Sequence, residues 1–294
     1  MRDDAGGAGG PGPAMRARDV GGIPMRWEES GAGTPVVLVH GIPTSPRLWR
    51  HVVPRLEGVR ALAWEMVGYG ESIPAGRGRD ISVATQAEYL VRWLDALGLG
   101  RVVFVGHDLG GGVVQIAAVR HPGRCAGIVL TNAIAYDSWP IPSVKLLRAA
   151  GGLVRRLPAA AIKTGVFRLL MARGHDDPRV AAESLEMHWA RYAAHDPGDA
   201  LIRQMRALNA RDTMRVAGAL STLRQLPARV VWGDADPFQK LEYGERLARD
   251  LGAPLERIGG GKHFTPEDHP DAIARAVNTV ARLAEGSGAP QPHP

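Results

Sequence analysis

The stretch Val102-Val103-Phe104-Val105-Gly106-His107-Asp108-Leu109-Gly110-Gly111-Gly112 constrains this chain more than any other. A short apolar, β-branched run reads as a buried strand. It breaks into Gly-His-Asp-Leu-Gly, and an Ala- and Val-rich segment through Arg120 has the length and composition of a helix. A strand turning that sharply into a helix strains its middle residue, and glycines two before and two after Asp108 make room for the turn. Asp108 then lies at a helix N-terminus, where free N–H groups and the helix dipole favour a carboxylate's ionised form. An ionised carboxylate needs no base to act as a nucleophile. It can attack carbon directly and leave an ester on the protein. The plainer alternative is a helix-capping Asp in a glycine-rich turn.

The surrounding pattern supports a large α/β domain. Val36–Val39, Arg60–Trp64, Ala126–Thr131, Arg229–Trp232 and Pro254–Ile258 read as further strands. Helical stretches at Ile81–Leu97, Lys240–Leu251 and Pro270–Ala284 alternate with them, the first ending at Gly98, a common helix stop. Such alternation predicts a mostly parallel central sheet covered by helices on both faces. Val20–Glu28 reads as an opening hairpin. Between about Asn132 and Pro227 there is no convincing strand, only Arg-, Ala- and Leu-rich helical stretches broken by prolines. The expected organisation is a leader over 1–19, a core of 20–135 and 228–284, a helical cap over 136–227 inserted between two strands, and a frayed tail over 285–294.

Composition excludes several classes. The chain has one cysteine, Cys125, so no internal disulfide, which fits a reducing, cytoplasmic location. No apolar run approaches the roughly 20 residues of a membrane span. There is no Cys/His metal cluster and no phosphate-binding loop, so no cofactor is expected. The net charge of +6 is local: Asp137–Pro227 holds 14 Lys/Arg against 8 Asp/Glu, and the remainder is balanced at 22 of each. That excess suits an anionic substrate, an acidic partner or a membrane surface, or simply a solvated Arg-rich surface. It is scattered and poor in aromatics, which disfavours nucleic acid. The expected partner is a small-molecule substrate, with neither nucleic acid nor membrane, and homodimerisation left open.

Three further strand ends carry candidates. After Val36–Val39 come His40-Gly41-Ile42-Pro43, whose free backbone N–H groups at the carboxyl edge of the sheet could pair, through Ile42 and Leu109, around a developing negative charge. After Arg229–Trp232 come Gly233-Asp234-Ala235-Asp236-Pro237, and the late loop Gly259-Gly260-Gly261-Lys262-His263 follows the last strand.

The order Asp108, Asp236, His263 resembles the nucleophile–acid–histidine order of the α/β-hydrolase fold, over roughly Pro35 to Ala284. Asp at the elbow, with His40-Gly41-Ile42-Pro43-Thr44-Ser45 and Leu48-Trp49-Arg50, is similar to the haloalkane dehalogenases and epoxide hydrolases. The resemblance implies that Asp108 forms a covalent ester. His263, oriented by Asp236, would then activate water to hydrolyse it, with Ile42 and Leu109 as the oxyanion hole. Asp234 competes with Asp236, which the resemblance favours. Lys262 beside His263 would lower the histidine's pKa, His107 would pack beside the elbow, and Glu65 would brace its loop.

Two departures qualify the match. Ile42 and Leu109 stand where dehalogenases commonly place halide-binding Asn and Trp. Trp139 or Trp189 could instead offer an indole N–H. Epoxide hydrolases usually use two tyrosines of the cap. Tyr136 and Tyr192 are available here, but Leu208-Asn209-Ala210-Arg211 lacks a second cap tyrosine. Tyr136, Trp139, Trp189 and Tyr192 are therefore the expected substrate-binding residues. The expected activity is an epoxide-hydrolase-like reaction on a small organic substrate. The alternatives are carbon–halogen hydrolysis, or a non-hydrolytic catalyst or binding protein that keeps the fold.

Overall fold

The computed structural model describes residues 14–288 of the 294-residue chain. Eight strands form one sheet: β1 (Met15–Asp19), β2 (Pro24–Gly31), β3 (Thr34–Val39), β4 (Val59–Glu65), β5 (Val102–Asp108), β6 (Cys125–Ala133), β7 (Ala228–Gly233) and β8 (Leu255–Ile258). Their order is β1-β2-β4-β3-β5-β6-β7-β8. Only β2 runs against its neighbours; from β4 to β8 every pairing is parallel.

The parallel strands β3 to β7 are buried on both faces, which is why they read as apolar runs. Alternate side chains feed two cores. Val37, Val39, Val102 and Phe104 join the cluster under α1 (Val83–Ala96), α2 (Leu109–Arg120) and α10 (Leu241–Leu251). Val36, Leu38, Val103 and Val105 join the cluster that packs against α12 (Pro270–Gly288). Local signals set the helix ends. The Ser82 hydroxyl accepts the Thr85 N–H at 3.3 Å at the start of α1, and Gly98, with φ +66°, follows its end.

The chain between β6 and β7 carries helices joined by turns and contains no strand. It contains α3 (Pro142–Ala149), α4 (Gly151–Val154), α5 (Ala159–Ile162), a π-helical turn over Lys163–Phe167, α6 (Arg168–Gly174), α7 (Pro178–Ala193), α8 (Pro197–Arg206) and α9 (Arg211–Ala217). A last short helix, α11 (Thr265–Asp268), precedes α12. No helix of the described residues is long and apolar enough to cross a membrane.

The sequence reading needs correction at both ends. Met15–Asp19, assigned to the leader, form an edge strand, so the opening hairpin is β1–β2 with Gly21 and Gly22 in its turn. All five β1 residues are exposed, and they form a strand only because β2 offers its hydrogen-bonding edge. At the other end α12 continues to Gly288 rather than fraying at 285. The rest of the expected leader, 1–13, and of the expected tail, 289–294, lie outside the described residues.

Candidate functional site

The elbow is built by steric necessity. Asp108 ends β5 with φ +48° and ψ −120° and caps α2. Such a conformation costs a non-glycine residue of the order of 1–3 kcal/mol and persists only where its surroundings enforce it. Here they do. A Cβ on Gly106 would meet the Gly110 carbonyl oxygen at 2.6 Å, and one on Gly110 would meet the Val39 carbonyl oxygen at 2.0 Å. The Asp108 carbonyl accepts the Ile134 N–H at 3.0 Å, tying the turn to β6. The side chain then projects beyond the carboxyl edge of the sheet. Its Oδ2 accepts the Ile42 N–H at 2.9 Å, and the adjacent Leu109 N–H also favours the charged form of the carboxylate.

His263 comes from the loop after β8, where its own N–H donates to the Gly174 carbonyl at 2.9 Å. Its Nδ1 lies 2.8 Å from Asp236 Oδ2 and its Nε2 4.0 Å from Asp108 Oδ1. A carboxylate only accepts, so Nδ1 carries the proton and Nε2, when neutral, presents a lone pair toward Asp108. Asp236 is fully engaged. Its Oδ1 accepts the N–H groups of Phe238 (2.7 Å) and Gln239 (3.0 Å), and its Oδ2 also accepts from Asn132 Nδ2 at 2.6 Å. Asn132, in left-handed backbone at φ +38°, accepts the Gly233 N–H at 3.1 Å and the Thr265 hydroxyl at 3.2 Å.

The three groups titrate apart. Burial opposes the charge on Asp236, but His263 and the two backbone donors outweigh it and hold the carboxyl below its usual range. Burial alone would lower the His263 pKa, yet Asp236 and Asp108 together raise it. For Asp108, burial dominates and raises the carboxyl, with His263 and the N–H groups of Ile42 and Leu109 pulling it back. The helix N-terminus therefore moderates the desolvation of Asp108 rather than reversing it, which corrects the expectation from the elbow alone.

Asp108 and His263 open on a cavity of about 60 Å³, too small for more than a few heavy atoms without movement of its walls. Ten of its fourteen lining side chains are hydrocarbon.

A family model described as the alpha/beta hydrolase fold matches residues 34–176. Haloalkane dehalogenase 2 of Mycobacterium tuberculosis is 30% identical over 272 residues, covering 86% of this chain and 90% of its own length. The chain belongs to the α/β-hydrolase family, in its haloalkane dehalogenase branch. It is an α/β-fold hydrolase. Bifunctional epoxide hydrolase 2 of Sus scrofa is 34% identical over 131 residues, 44% of this chain and 24% of its own length. Among solved structures, an alpha/beta hydrolase fold protein from Burkholderia ambifaria superposes with a TM-score of 0.79 at 26% identity, covering 90% of this chain and 99% of its own.

The hydrolase brings some predicted residues together and turns others away. Asp108, Asp236, His263, Ile42 and Leu109 converge. Asp234 does not: its Oδ1 accepts the Gly260 N–H at 2.8 Å. Of the four expected substrate-binding residues only Trp139 lines the cavity, and its Nε1 donates to Thr213 Oγ1 at 2.8 Å. The Tyr136 hydroxyl donates to Asp250 Oδ2 at 2.6 Å, and the Tyr192 hydroxyl to Gln204 Oε1 at 2.6 Å. Trp189 packs edge-on against Phe167. Neither tyrosine faces Asp108, because each hydroxyl is satisfied elsewhere.

The neighbours of the site also differ from expectation in one case. Lys262 Nζ donates to the His175 carbonyl at 2.7 Å, and the His263 pKa is raised, not lowered. His107 is buried, with Nε2 donating to the His263 carbonyl at 2.9 Å. Glu65 accepts the Ser72 hydroxyl at 2.7 Å and the Glu71 N–H at 3.0 Å. Burial, only partly offset by those bonds, pushes its pKa up to about 7.

Sequence reasoning missed three features: Asn132 behind the acid, Gln239 on the cavity wall, and a buried cluster around Glu267. Glu267 Oε2 lies 2.6 Å from His175 Nε2, and its Oε1 lies 3.5 Å from His188 Nε2 and also takes the Arg50 guanidinium. His175 and His188 belong to the helical segment, Arg50 and Glu267 to the core, so the cluster joins the two. Nothing in local spacing announces it, since its members are brought together only by the fold.

Proposed function

We propose that this hydrolase acts through a covalent ester on Asp108, formed from a small, uncharged organic molecule carrying a carbon–halogen bond. One observation carries the reading. One oxygen of a buried carboxylate is held by a backbone donor at 2.9 Å while the other lies 4.0 Å from an imidazole backed by Asp236. Oδ1 attacks the carbon and the halide leaves with the bonding electrons. His263 Nε2 then takes a proton from water as the water adds to the ester carbonyl. The negative charge on Oδ2 falls to the Ile42 and Leu109 N–H groups. Collapse releases the alcohol and restores Asp108. The proton taken by His263 leaves as acid, balancing the halide.

Epoxide opening is the second reading, favoured by the likeness to the pig epoxide hydrolase. It ranks below carbon–halogen cleavage because an epoxide oxygen needs an acidic hydroxyl, and both tyrosines considered for that task are engaged elsewhere. A single turnover in heavy-oxygen water tests the covalent step. With 1-bromobutane or 1,2-epoxybutane and protein in excess, the first product should carry ordinary oxygen, taken from Asp108. Label in that first product would mean direct attack by water and would overturn the proposal.

A further inference from the structure

We infer that the side-chain amide of Gln239 holds the departing group as its bond to carbon breaks. The inference rests on the covalent reading above. The breaking bond places negative charge in a cavity whose walls are mostly hydrocarbon, and burying such charge without a donor is costly. The available donors can be counted. The Ile42 N–H donates to Asp108 and the Leu109 N–H acts on the same carboxylate, the Trp139 indole serves Thr213, and His263 Nδ1–H serves Asp236. Among the four lining side chains that carry polar atoms, only Gln239 has uncommitted N–H groups.

Gln239 is also built for such a task. The residue is 3% exposed, and its Oε1 is buried without a hydrogen-bond partner among the described residues. An orphaned amide oxygen of this kind is destabilising unless something in the cavity pairs with the amide. Half a turn about the last side-chain torsion exchanges the two ends of the amide, so the NH2 can meet a leaving atom. Its backbone is pinned on both sides. The N–H donates to Asp236 Oδ1 at 3.0 Å, and the carbonyl accepts Trp232 Nε1 at 3.0 Å. Exchanging the side chain therefore leaves the support of Asp236 in place.

In the step itself the Asp108 Oδ1–carbon bond forms and the carbon–halogen bond breaks. The electron pair goes to the halide, which accepts a hydrogen bond from Gln239. No proton moves. The test uses Gln239→Met, close in shape and without a donor, and Gln239→Glu, close in size with a charge that repels an anion. Rapid-quench mass spectrometry with 1-bromobutane and 1-chlorobutane follows gain and loss of the alkyl group on the intact chain. Ester formation should slow about 10- to 100-fold in the Met variant and further in the Glu variant. The chloride should suffer more than the bromide, and hydrolysis of the ester should stay at the wild-type rate. If the Met variant fails to fold, as judged by circular dichroism, the Glu variant carries the comparison. Variants that form ester at the wild-type rate would remove Gln239 from this role while leaving the covalent mechanism intact. A wild-type protein that never gains the alkyl group overturns the covalent mechanism instead, and this inference with it.

Discussion

Replacing Asp236 by Asn tests the relay behind His263, because every hydrogen bond to Asp236 is one it accepts. Oδ1 takes two backbone N–H groups, at 2.7 and 3.0 Å, and Oδ2 takes His263 Nδ1–H and the Asn132 amide, at 2.8 and 2.6 Å. An Asn side chain must turn its NH2 toward one of these donor pairs. Keeping its oxygen on the two rigid backbone N–H groups is cheaper, so the NH2 faces His263. The imidazole then has to accept at Nδ1 and carry its proton on Nε2, where it can no longer take one from water. A wrong tautomer of this kind costs roughly 10⁴-fold in a histidine-dependent step. In the proposed mechanism ester formation does not use His263, so it should fall by less than about tenfold, the share expected from altered packing and charge near Asp108. Rapid mixing with 1-bromobutane followed by intact-mass measurement separates the steps, and the Asp236→Asn protein should accumulate the alkylated form. Slow alcohol release without an accumulating ester, or ester hydrolysis within tenfold of wild type, would refute the relay.

Three other outcomes follow from the same geometry. His263→Ala should trap the alkyl group on the peptide containing Asp108; an unmodified peptide despite substrate loss would remove His263 from ester hydrolysis. Free His263 should titrate above the usual imidazole range because Asp236 and Asp108 both raise it. Esterification removes the Asp108 charge, so the acid limb of ester hydrolysis should lie at lower pH than the NMR titration of the free enzyme. Glu267→Gln should lower unfolding stability by about 3–5 kcal/mol in urea at neutral pH, because it leaves Arg50, His175 and His188 without their shared carboxylate. Despite the cost of burial, His175, His188 and Arg50 hold the Glu267 pKa well below the carboxylate norm, so its stabilisation is present above about pH 4.5 and fades as pH falls below that.

How much of this was legible in the sequence follows from which interactions are local. Five of the six parallel strands and the elbow were readable because a sheet buried on both faces needs unbroken apolar runs, and a tight strand-to-helix turn needs glycines at fixed offsets. β1 was not, since Met-Arg-Ala-Arg-Asp has no buried face and is a strand only by pairing with β2. Tyr136 and Tyr192 stand out in the sequence for the chemistry of a hydroxyl. Whether that hydroxyl is free depends on Asp250, 114 residues away, and on Gln204. Asn132, Gln239 and Glu267 carry no motif. Their meaning comes from what the fold sets beside them: an acid, an apolar cavity, and two histidines with an arginine.

Gly41 shows how one residue ties the readable pattern to the site it serves. Its backbone does not need glycine for a left-handed φ; it needs glycine for space. A Cβ there would lie 2.4 Å from Asp108 Oδ2 and 2.5 Å from Asp108 Cβ. That closeness lets the next residue's N–H reach Oδ2 at 2.9 Å, so the free donors inferred after His40-Gly41 and the carboxylate inferred at the elbow occupy one point in space. Gly41→Ala must therefore either rotate the Asp108 carboxylate away or push back the backbone that carries the Ile42 N–H. The second alone removes the proposed oxyanion donor, worth about 10²–10³-fold in rate. The fold should lose only about 1–3 kcal/mol, as for a modest overpacking. Rate and denaturant unfolding measured on the same preparation separate the two effects. A Gly41→Ala protein that turns over 1-bromobutane within tenfold of wild type would mean that the Ile42 N–H and the Asp108 carboxylate do not act together.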